Sequence, residues 1–467
     1  MIEKSARKKR KIVQRTIASL MLVNILGFST VPAVSFAASH LVATAETTST
    51  DETEATTTTN SKPDKVPSID QLGLEVKSAV LLEPTTGQIL LNIDADVALP
   101  PASMTKMMTE YIVAEQVKQG IISWDDVVTV RENAAKSVGS RIFLAEGDQH
   151  TVRELYIAMA VGSANDATVA LAEYVAGTEA EFVNMMNETA KQMGMETAFF
   201  INSTGLSRAD MPEKFRPQED RETVMSAMDA ALLVKHIVMD HPDFAEFTAI
   251  PSYKFRERDK DPIINYNWML ESNKDITNFK AYAYEGLDGM KTGHTSAAGY
   301  CFAGTAERDG MRLISVVMGT KSEGARFQET RKVLDYGFDN FEIKEVVPAQ
   351  STVEGFENIQ VSKGKATEAA IVTDKPVSFM LPKGSSGANI NFEATIDSNN
   401  LTAPVAKDTK VGTVTYSYTV EGMDSEQTVT VNLITADEVE KAGWFKLLMR
   451  AISQFFADLF ESIKNLF

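Results

Sequence analysis

The sequence predicts an α+β domain, with an antiparallel sheet and an inserted helical region, followed by a small all-β domain and a C-terminal amphipathic helix. Three observations support this fold class. Strand-like runs stand at both ends of segment 71–345 and enclose a long region with helical spacing. Short alternating runs, separated by Gly, Pro, Asn and Asp, fill 346–435. The last segment, 436–467, places many aromatic residues at helical spacing.

The N-terminus has the features of an export signal. The cationic stretch "KSARKKRKIVQR" precedes the apolar segment "TIASLMLVNILGFST", and Ser35 and Ala37 supply the small residues of a cleavage site. We therefore expect a signal peptide over 1–37 and an exported protein. The apolar run is shorter than the ~20 residues that a membrane span needs, which disfavours a retained anchor. Segment 38–70 contains an acidic, Thr-rich stretch almost free of large apolar residues, which predicts a disordered linker.

Segment 71–345 begins with "KSAVLLE" and "GQILLNI", which flank the turn residues "PTTG" and predict a β-hairpin. A helix is predicted from Ser103 to about Val117, and four more helical patterns lie between Thr151 and Met239. Strand patterns return in "LDGMKTGHT", "GYCFAGTAER" and "MRLISVVMG", and the helical "ARFQETRKVLDYGFDNF" closes the segment. We therefore expect a sheet made from both ends of the segment, with helices inserted between its strands.

The two C-terminal segments carry no recognisable chemistry. Runs such as "GTVTYSYTV" and "QTVTVNLI" predict a separate sandwich or barrel, which we interpret as a spacer or interaction module. In the tail, one helical face would carry Trp444, Leu448, Ile452, Phe455, Leu459, Ile463 and Leu466. Because charged residues recur every turn, we expect this helix to lie in a membrane interface rather than to cross the bilayer. The alternative is a helix docked on the β domain. Thr435 and Glu438 resemble a capping box just upstream.

The bulk composition disfavours several classes of function. The 467-residue chain has a formal charge of −18 at pH 7, so we expect no nucleic-acid partner. The single cysteine, Cys301, excludes an intramolecular disulfide and a cysteine cluster for a metal, and we interpret it as a small buried apolar residue. The chain has five histidines and no HExxH pair, and we expect neither a metal nor another cofactor.

The stretch "PPASMTKMMTEY" contains the first candidate catalytic pair. Ser103 and Lys106 are three residues apart, so on a helix they lie on one face within contact distance. Lys106 is then placed to accept the serine proton. The same spacing occurs twice more, in the signal segment and in the all-β segment, so the pair alone is weak evidence. The alternative for Ser103 is a helix N-cap.

Two downstream motifs complete a set. "AVGSANDAT" places Ser163 and Asn165 in a break between two helical patterns. "GMKTGHTSAAG" places Lys291, Thr292 and Gly293 on a predicted strand, in the chain's single KTG. SxxK, SxN-type and KTG motifs together form the active-site set of penicillin-recognising serine enzymes. Only this combination occurs in the right order within one predicted domain.

The resemblance extends beyond the three motifs. From about residue 77 to 341 the chain resembles the serine D-alanyl-D-alanine carboxypeptidases, the low-molecular-mass penicillin-binding proteins. It does so in "PASMTKMMT", "GSANDATVALAEYVAG", "KTGHTSAAGYCFAGTAERDG" and "RLISVVMG". In that family an all-β domain and a terminal amphipathic helix follow in the same order. The resemblance implies a transpeptidase domain of the penicillin-binding-protein and β-lactamase type.

The motif residues suit acyl transfer from a peptide. A serine such as Ser103 is a weak nucleophile and needs a base. Lys106 serves as that base only when neutral, with a pKa below its usual ~10.4. Burial and a second cation, for which Lys291 is the candidate, both lower it. Ser163 would relay the proton to the leaving amine, and Asn165 would bind a substrate amide and help to fix Lys106.

The resemblance adds a set of substrate-binding groups. It implies an oxyanion hole made by the backbone N–H groups of Ser103 and His294, so the imidazole of His294 need not be catalytic. Thr292 and Arg326 would hold the terminal carboxylate of the substrate, which suits a planar guanidinium. Gly293 lies within the same binding strand, although a bulge would also explain a glycine there. The alternative for Arg326 is a surface arginine at a helix start.

The leading hypothesis is a DD-carboxypeptidase that cleaves the terminal D-Ala–D-Ala bond of peptidoglycan stem peptides through an acyl-enzyme on Ser103. β-Lactams would acylate the same serine, and the protein would act at the outer face of the bacterial cytoplasmic membrane or in the cell wall. One alternative is a class A β-lactamase, but the chain lacks the ExxLN segment of that class between Asn165 and Lys291. The other is a non-catalytic wall-binding protein on the same fold.

Overall fold

The computed structural model describes residues 66–385, 390–397, 400–420 and 426–464. The predicted signal peptide, most of the predicted linker and the last three residues of the tail lie outside this part of the chain. The helices are α1 (Lys106–Lys118), α2 (Glu132–Lys136), α3 (Val152–Gly162), α4 (Asn165–Ala176), α5 (Glu179–Gln192), α6 (Ala227–Asp240), α7 (Ala245–Thr248), α8 (Glu323–Asn340) and α9 (Trp444–Lys464). Short 3₁₀ turns cover Ile69–Leu72, Ala102–Thr105, Arg208–Asp210, Glu213–Phe215 and Glu271–Asp275.

The strands divide between two regions. Before α8 they are β1 (Ser78–Leu82), β2 (Ile89–Ile93), β3 (Val127–Thr129), β4 (Gln149–Thr151), β5 (Ser252–Tyr253), β6 (Ile263–Ile264), β7 (Leu287–Thr295), β8 (Gly299–Arg308) and β9 (Met311–Thr320). After α8 they are β10 (Phe341–Val347), β11 (Asn358–Ser362), β12 (Glu368–Thr373), β13 (Val377–Pro382), β14 (Ile390–Ile396), β15 (Asn400–Thr402), β16 (Lys410–Tyr418) and β17 (Gln427–Thr435).

The main sheet has five antiparallel strands in the order β2-β1-β9-β8-β7. The first hairpin and the three later strands pair in this one sheet, and α1 to α7 are inserted between them. The α+β prediction is therefore confirmed. β7, which carries the KTG motif, is an edge strand, so one side of its backbone is open to the site.

The sheet lies between two helical layers. All five residues of β1 are buried, so this strand is apolar on both faces. Val80 and Leu82 pack into the cluster formed with α1 and α6, whereas Ala79 and Leu81 pack into the cluster that contains α8. The alternation follows from the two-residue period of a strand. It fixes which sheet face supports the start of α1, where Ser103 lies.

Local caps explain where two of the predicted helices begin. Thr151 and Glu154 form a capping box at the start of α3, and Ser226 and Asp229 form one at the start of α6. α3 ends at Ser163, and α4 begins two residues later. The break between the two helices is therefore where the sequence predicts it.

The region after α8 is all-β, as predicted, and contains two sheets. β10 pairs with β13, and six strands form a second sheet in the order β14-β16-β17-β12-β11-β15. The buried side chains of Phe338, Phe341 and Phe379 belong to one apolar cluster, which continues from α8 into this domain. The two domains therefore share part of their core.

The terminal helix differs from the prediction at its start. Thr435 is the last residue of β17, where its hydroxyl accepts from the Thr409 amide (3.1 Å) and donates to the Ala406 carbonyl (2.8 Å). The capping box predicted at Thr435 and Glu438 is therefore wrong, because the hydroxyl is bonded to the segment 406–409 that precedes β16. α9 begins only at Trp444. None of the helices described in the structure is both long enough and apolar enough to cross a membrane.

Candidate active site

Ser103 lies in the 3₁₀ turn that leads into α1. Its neighbours Ala102 and Met104 are buried in the core, whereas Ser103 itself is half-buried and lines a cleft. The predicted N-cap alternative is wrong, since neither the turn nor α1 receives a side-chain cap. The hydroxyl instead accepts a hydrogen bond from Lys106 Nζ at 3.2 Å.

Lys106 is fully buried, and its amine has two partners. It donates to the Thr204 carbonyl at 2.8 Å and to Ser103 Oγ at 3.2 Å. Burial holds the lysine pKa well below its ordinary value of 10.5, and the Lys291 cation lowers it further, against the opposing charges of Glu110 and Asp166. The two predicted causes therefore both act, and the amine suits a general base.

The turn that supplies this carbonyl is a feature that the sequence analysis missed. Asn202 Oδ1 accepts from the Thr204 amide (3.1 Å) and the Gly205 amide (2.7 Å), which bends the chain toward Lys106. Gly205 has φ +82°, and a Cβ there would meet the Ala102 carbonyl oxygen at 1.9 Å. The sequence signal was the turn pattern "NSTG".

A buried carboxylate anchors the same turn. Glu179, the first residue of α5, accepts from the Ser203 amide (3.0 Å) and hydroxyl (2.7 Å). Its other oxygen accepts from Asn133 Nδ2 at 2.8 Å. The Ser203 carbonyl in turn accepts from the Thr109 hydroxyl at 2.9 Å. These bonds fix the turn against α1 and so fix the position of Lys106.

Ser163 and Lys291 form a second hydroxyl–amine pair. Ser163 caps the end of α3 in a left-handed conformation (φ +53°), in the break before α4, and it lines the same cleft as Ser103. Lys291 Nζ donates to Ser163 Oγ at 2.9 Å and to the Thr292 carbonyl at 3.3 Å. Burial lowers the Lys291 pKa to about 8, Glu110 opposes this shift and Arg326 adds to it.

Asn165 is the first residue of α4 and is buried. Its Nδ2 donates to the Val138 carbonyl at 2.5 Å, while its Oδ1 has no hydrogen-bond partner among the described residues. The predicted contact with Lys106 is not made, because that amine is already bonded to Ser103 and Thr204.

Gly293 permits the close approach of β7 to the 3₁₀ turn Ala102–Thr105, which carries Ser103 and is called the serine turn below. A Cβ at this position would meet the Pro101 carbonyl oxygen at 2.4 Å. The glycine is therefore explained by this approach rather than by a bulge. Thr292 beside it is buried, and the exposed ring of His294 stacks on Tyr300 with centroids 4.1 Å apart.

Arg326 lies in the first turns of α8 and is only 2% exposed, so the surface-arginine alternative is wrong. Its guanidinium packs over the ring of Phe327 (4.7 Å) and donates to Glu323 at 3.0 Å. Its Nε has no hydrogen-bond partner among the described residues. Burial lowers the Arg326 pKa to about 10, so the group remains cationic at neutral pH.

These residues surround one cleft of about 280 Å³. It is lined by Ser103, Ser140, Ser163, Tyr266, Thr292, Gly293, His294, Tyr300, Glu323 and Arg326. Lys106 and Lys291 reach Ser103 and Ser163 by the hydrogen bonds given above. Ser140, Tyr266, Tyr300 and Glu323 were not predicted, because no local pattern distinguishes them. The arrangement places a nucleophile, a base, a second serine–lysine pair and a cation around a space for a small peptide end.

Comparison with known proteins identifies the family. A model of D-alanyl-D-alanine carboxypeptidase (peptidase S11) matches residues 63–322, and a model of the C-terminal domain of penicillin-binding protein 5 matches residues 341–441. The chain is 32% identical to the D-alanyl-D-alanine carboxypeptidase DacF of Bacillus subtilis, over 82% of this chain and 90% of that protein. It is also 32% identical to DacC of Escherichia coli, over 84% of this chain and 92% of that protein.

Solved structures of other proteins are similar to this chain in both sequence and fold. Penicillin-binding protein 5 of Haemophilus influenzae is 31% identical with a TM-score of 0.62, over 79% of this chain and 98% of that one. A peptidoglycan synthesis regulatory factor (PBP3) from Streptococcus pneumoniae is 28% identical with a TM-score of 0.67, over 79% of this chain and all of that one (100%). These matches favour the carboxypeptidase hypothesis over a class A β-lactamase. The chain therefore belongs to the serine D-alanyl-D-alanine carboxypeptidase family, the low-molecular-mass penicillin-binding proteins.

Proposed function

We propose that this protein is an exported DD-carboxypeptidase that removes the terminal D-Ala of peptidoglycan pentapeptide stems through an acyl-enzyme on Ser103. The observation that carries the proposal is the 3.2 Å contact between Ser103 Oγ and the amine of Lys106, whose burial favours its neutral form. A serine with an adjacent base of lowered pKa is the arrangement that nucleophilic acyl transfer needs.

In the acylation step, Ser103 Oγ attacks the carbonyl carbon of the penultimate D-Ala while Lys106 Nζ takes the serine proton. The developing oxyanion is held by the backbone N–H groups of Ser103 and His294. This role is supported by the edge position of β7 and by its close approach to the serine turn at Gly293. Each such donor typically contributes about 2.7–4 kcal/mol to transition-state stabilisation.

Collapse of the tetrahedral intermediate breaks the peptide bond. Ser163 donates its proton to the nitrogen of the leaving D-Ala, and Lys291, 2.9 Å away, orients the hydroxyl and resupplies the proton. Water then attacks the ester carbonyl and gives a proton through Ser163 to the now neutral Lys291, while protonated Lys106 returns its proton to the departing Ser103 oxygen. A stem peptide shorter by one D-Ala is released, and Lys106 is again neutral and Lys291 again protonated.

Four residues bind and position the substrate. Arg326 and Thr292 bind the terminal carboxylate, since both residues line the cleft and the guanidinium is cationic at neutral pH. For Asn165, two residues after Ser163 at the start of α4, the family resemblance implies a contact with an N–H of the stem peptide. Gly293 keeps β7 close enough to the serine turn for the bound peptide end to reach Ser103.

Penicillin tests the nucleophile directly. A β-lactam presents a strained amide and a carboxylate to the same groups, so it acylates Ser103. Intact-protein mass spectrometry after penicillin treatment is expected to show one adduct on the wild-type protein and none on Ser103→Ala. Absence of an adduct on the wild type, or an adduct that persists in the variant, would overturn the assignment.

The proposed location is the outer face of the cytoplasmic membrane, with α9 in the bilayer interface. Trp444, Phe455 and Phe460 are 76%, 64% and 74% exposed. On the polar side, Lys446 and Arg450 donate to backbone carbonyls of the turn 364–365. The helix therefore contacts the β domain through its polar side and leaves its aromatic side open, which suits insertion among lipid headgroups.

Vesicle sedimentation tests this location. The full-length mature protein is expected to pellet with phosphatidylglycerol vesicles, and Phe455→Ser with Phe456→Ser to stay in the supernatant. Gln454→Ser, on the polar side of the same helix, is the matched control and is expected to pellet. Equal pelleting of all three proteins would contradict a role for the aromatic face.

A further inference from the structure

Glu110 is a buried carboxyl group beside the catalytic lysines for which the mechanism above has no use. It lies one turn beyond Lys106 on α1, and only 2% of it is exposed. Its Oε1 has no hydrogen-bond partner among the described residues. A buried carboxyl group without donors is costly unless cations lie close to it, so its surroundings need an explanation.

The cations close to Glu110 are the two lysines of the site. Burial raises the pKa of Glu110 to about 7, and the charges of Lys291 and Lys106 oppose that rise. The effect is mutual: burial and Arg326 lower the pKa of Lys291, and the charge of Glu110 opposes that lowering. For Lys106, Asp166 joins Glu110 in raising the pKa, while the Lys291 cation lowers it. Glu110 thus acts on both lysines, and of the two lysine charges it is that of Lys291 that acts more strongly on Glu110.

The proposed chemistry needs the two lysines in different states. Lys106 must be neutral to accept the Ser103 proton, whereas Lys291 must be protonated to supply Ser163. A single negative charge balances this one positive charge in a buried site.

On the basis of the proposed function, we propose that Glu110 is a positioning residue: a resident counter-ion that keeps Lys291 protonated while Lys106 stays neutral, and so sets the upper pH limit of acylation. This role needs no contact with the substrate, because Glu110 acts through the lysines.

Four titratable groups on the helices around α1 do not replace Glu110. They are Tyr156 on α3, Asp166 on α4, Glu179 on α5 and Asp240 on α6. Tyr156 donates to the backbone carbonyl of Glu110 at 3.3 Å, and burial holds its pKa well above 10, so it stays neutral. Asp166 and Glu179 accept from backbone N–H groups, and Asp240 accepts from a tyrosine hydroxyl.

The test is the pH profile of penicillin acylation for the wild type and Glu110→Gln. Glutamine keeps the shape of the side chain and removes its charge. Because Glu110 is charged mainly above about pH 7, its loss acts on the alkaline side. The alkaline limb is expected to move to lower pH by about one unit or more, while the acid limb stays within a few tenths of a unit. At pH 9 this lowers the rate about ten-fold relative to the wild type.

Two variants serve as controls. Glu115→Gln removes a carboxylate from the same helix but outside the site, and is expected to leave both limbs in place. Glu110→Asp keeps the charge, and its alkaline limb is expected to lie closer to that of the wild type than to that of Glu110→Gln. Thermal unfolding and the stoichiometry of penicillin adduct show whether each variant is folded.

The outcomes separate this proposal from the proposed function. A rate that falls equally at every pH in Glu110→Gln, with an unmoved alkaline limb, indicates a purely structural role and overturns the proposal. If Glu110→Gln does not fold, an alkaline limb in Glu110→Asp that departs from the wild type as far as one unit overturns it as well. Failure of the proposed function appears differently, as absence of acylation at Ser103 in the wild type.

Discussion

The amine of Lys106 lies 3.2 Å from the hydroxyl of Ser103. Its other hydrogen bond goes to the carbonyl of Thr204, at 2.8 Å, and no described carboxylate forms an ion pair with it. A neutral amine can donate both hydrogen bonds with its two N–H groups, which leaves its lone pair free for the serine proton, and it avoids the cost of a buried charge. The geometry and the burial of this side chain therefore favour the same protonation state, the one that a base requires.

Replacing Lys106 by Met should abolish most of the acylation without unfolding the protein. The substitution removes the base and leaves an apolar chain of similar size in a fully buried position. We expect acylation by penicillin to fall about 10²–10⁴-fold, the usual contribution of a positioned base, with little change in thermal stability. Stopped-flow acylation and calorimetry measure the two quantities. Lys118→Met, the same change at the exposed end of the same helix, should acylate at the wild-type rate.

The pH dependence of kcat/KM should be bell-shaped. Acylation requires neutral Lys106, so the rate falls as pH drops through the pKa of this lysine, which lies well below 10.5. It also requires protonated Lys291, so the rate falls again above about pH 8. Measurement of D-Ala release between pH 4 and pH 10 checks both limbs. A rate that keeps rising to pH 10, as for a base with an unperturbed lysine pKa, would contradict the assignment.

Gly293→Ala should slow acylation because a Cβ at this position would lie 2.4 Å from the Pro101 carbonyl oxygen. β7 and the serine turn must then move apart, and a displacement of about 1 Å at an active site costs on the order of 100-fold in rate. Penicillin acylation rates measure the effect. Gly443→Ala provides the control, since nothing lies within 4 Å of its Cβ, and should be indistinguishable from the wild type.

Arg326→Lys should weaken substrate binding. Lysine keeps the positive charge but not the planar pair of donors that a carboxylate prefers. We expect kcat/KM for a pentapeptide to fall about 10- to 100-fold, the range for a hydrogen bond to a charged group. For a pentapeptide with a C-terminal amide, wild type and variant should differ much less. An equal loss for both substrates would mean that Arg326 does not bind the carboxylate.

The parts of the site that could be predicted from the sequence are those whose geometry depends on short-range spacing. Ser103 and Lys106 lie on one helical face, and Ser163 lies in a helix break that the pattern "AVGSANDAT" indicates. Contacts between distant segments were not predictable in this way. The Thr204 carbonyl reaches Lys106 from a turn 98 residues later in the sequence. Only the packing of that turn against α1 brings the two groups together.

The errors in the predictions have the same origin. Asn165 was expected to contact Lys106, but its amide bonds to the Val138 carbonyl of a loop that no periodicity could place. Thr435 has the local sequence of a helix cap, yet its partners Thr409 and Ala406 belong to a different segment of the β domain. In each case a local pattern was overruled by a long-range hydrogen bond.

The most direct test of the central claim is release of D-Ala from a stem pentapeptide by the wild-type protein and by Ser103→Ala. We predict multiple turnovers with the wild type, one D-Ala per peptide, and no release above background with the variant, whose thermal stability should match that of the wild type. Turnover by Ser103→Ala, or absence of turnover in a wild-type protein that binds the peptide, would contradict an acyl-enzyme mechanism at Ser103.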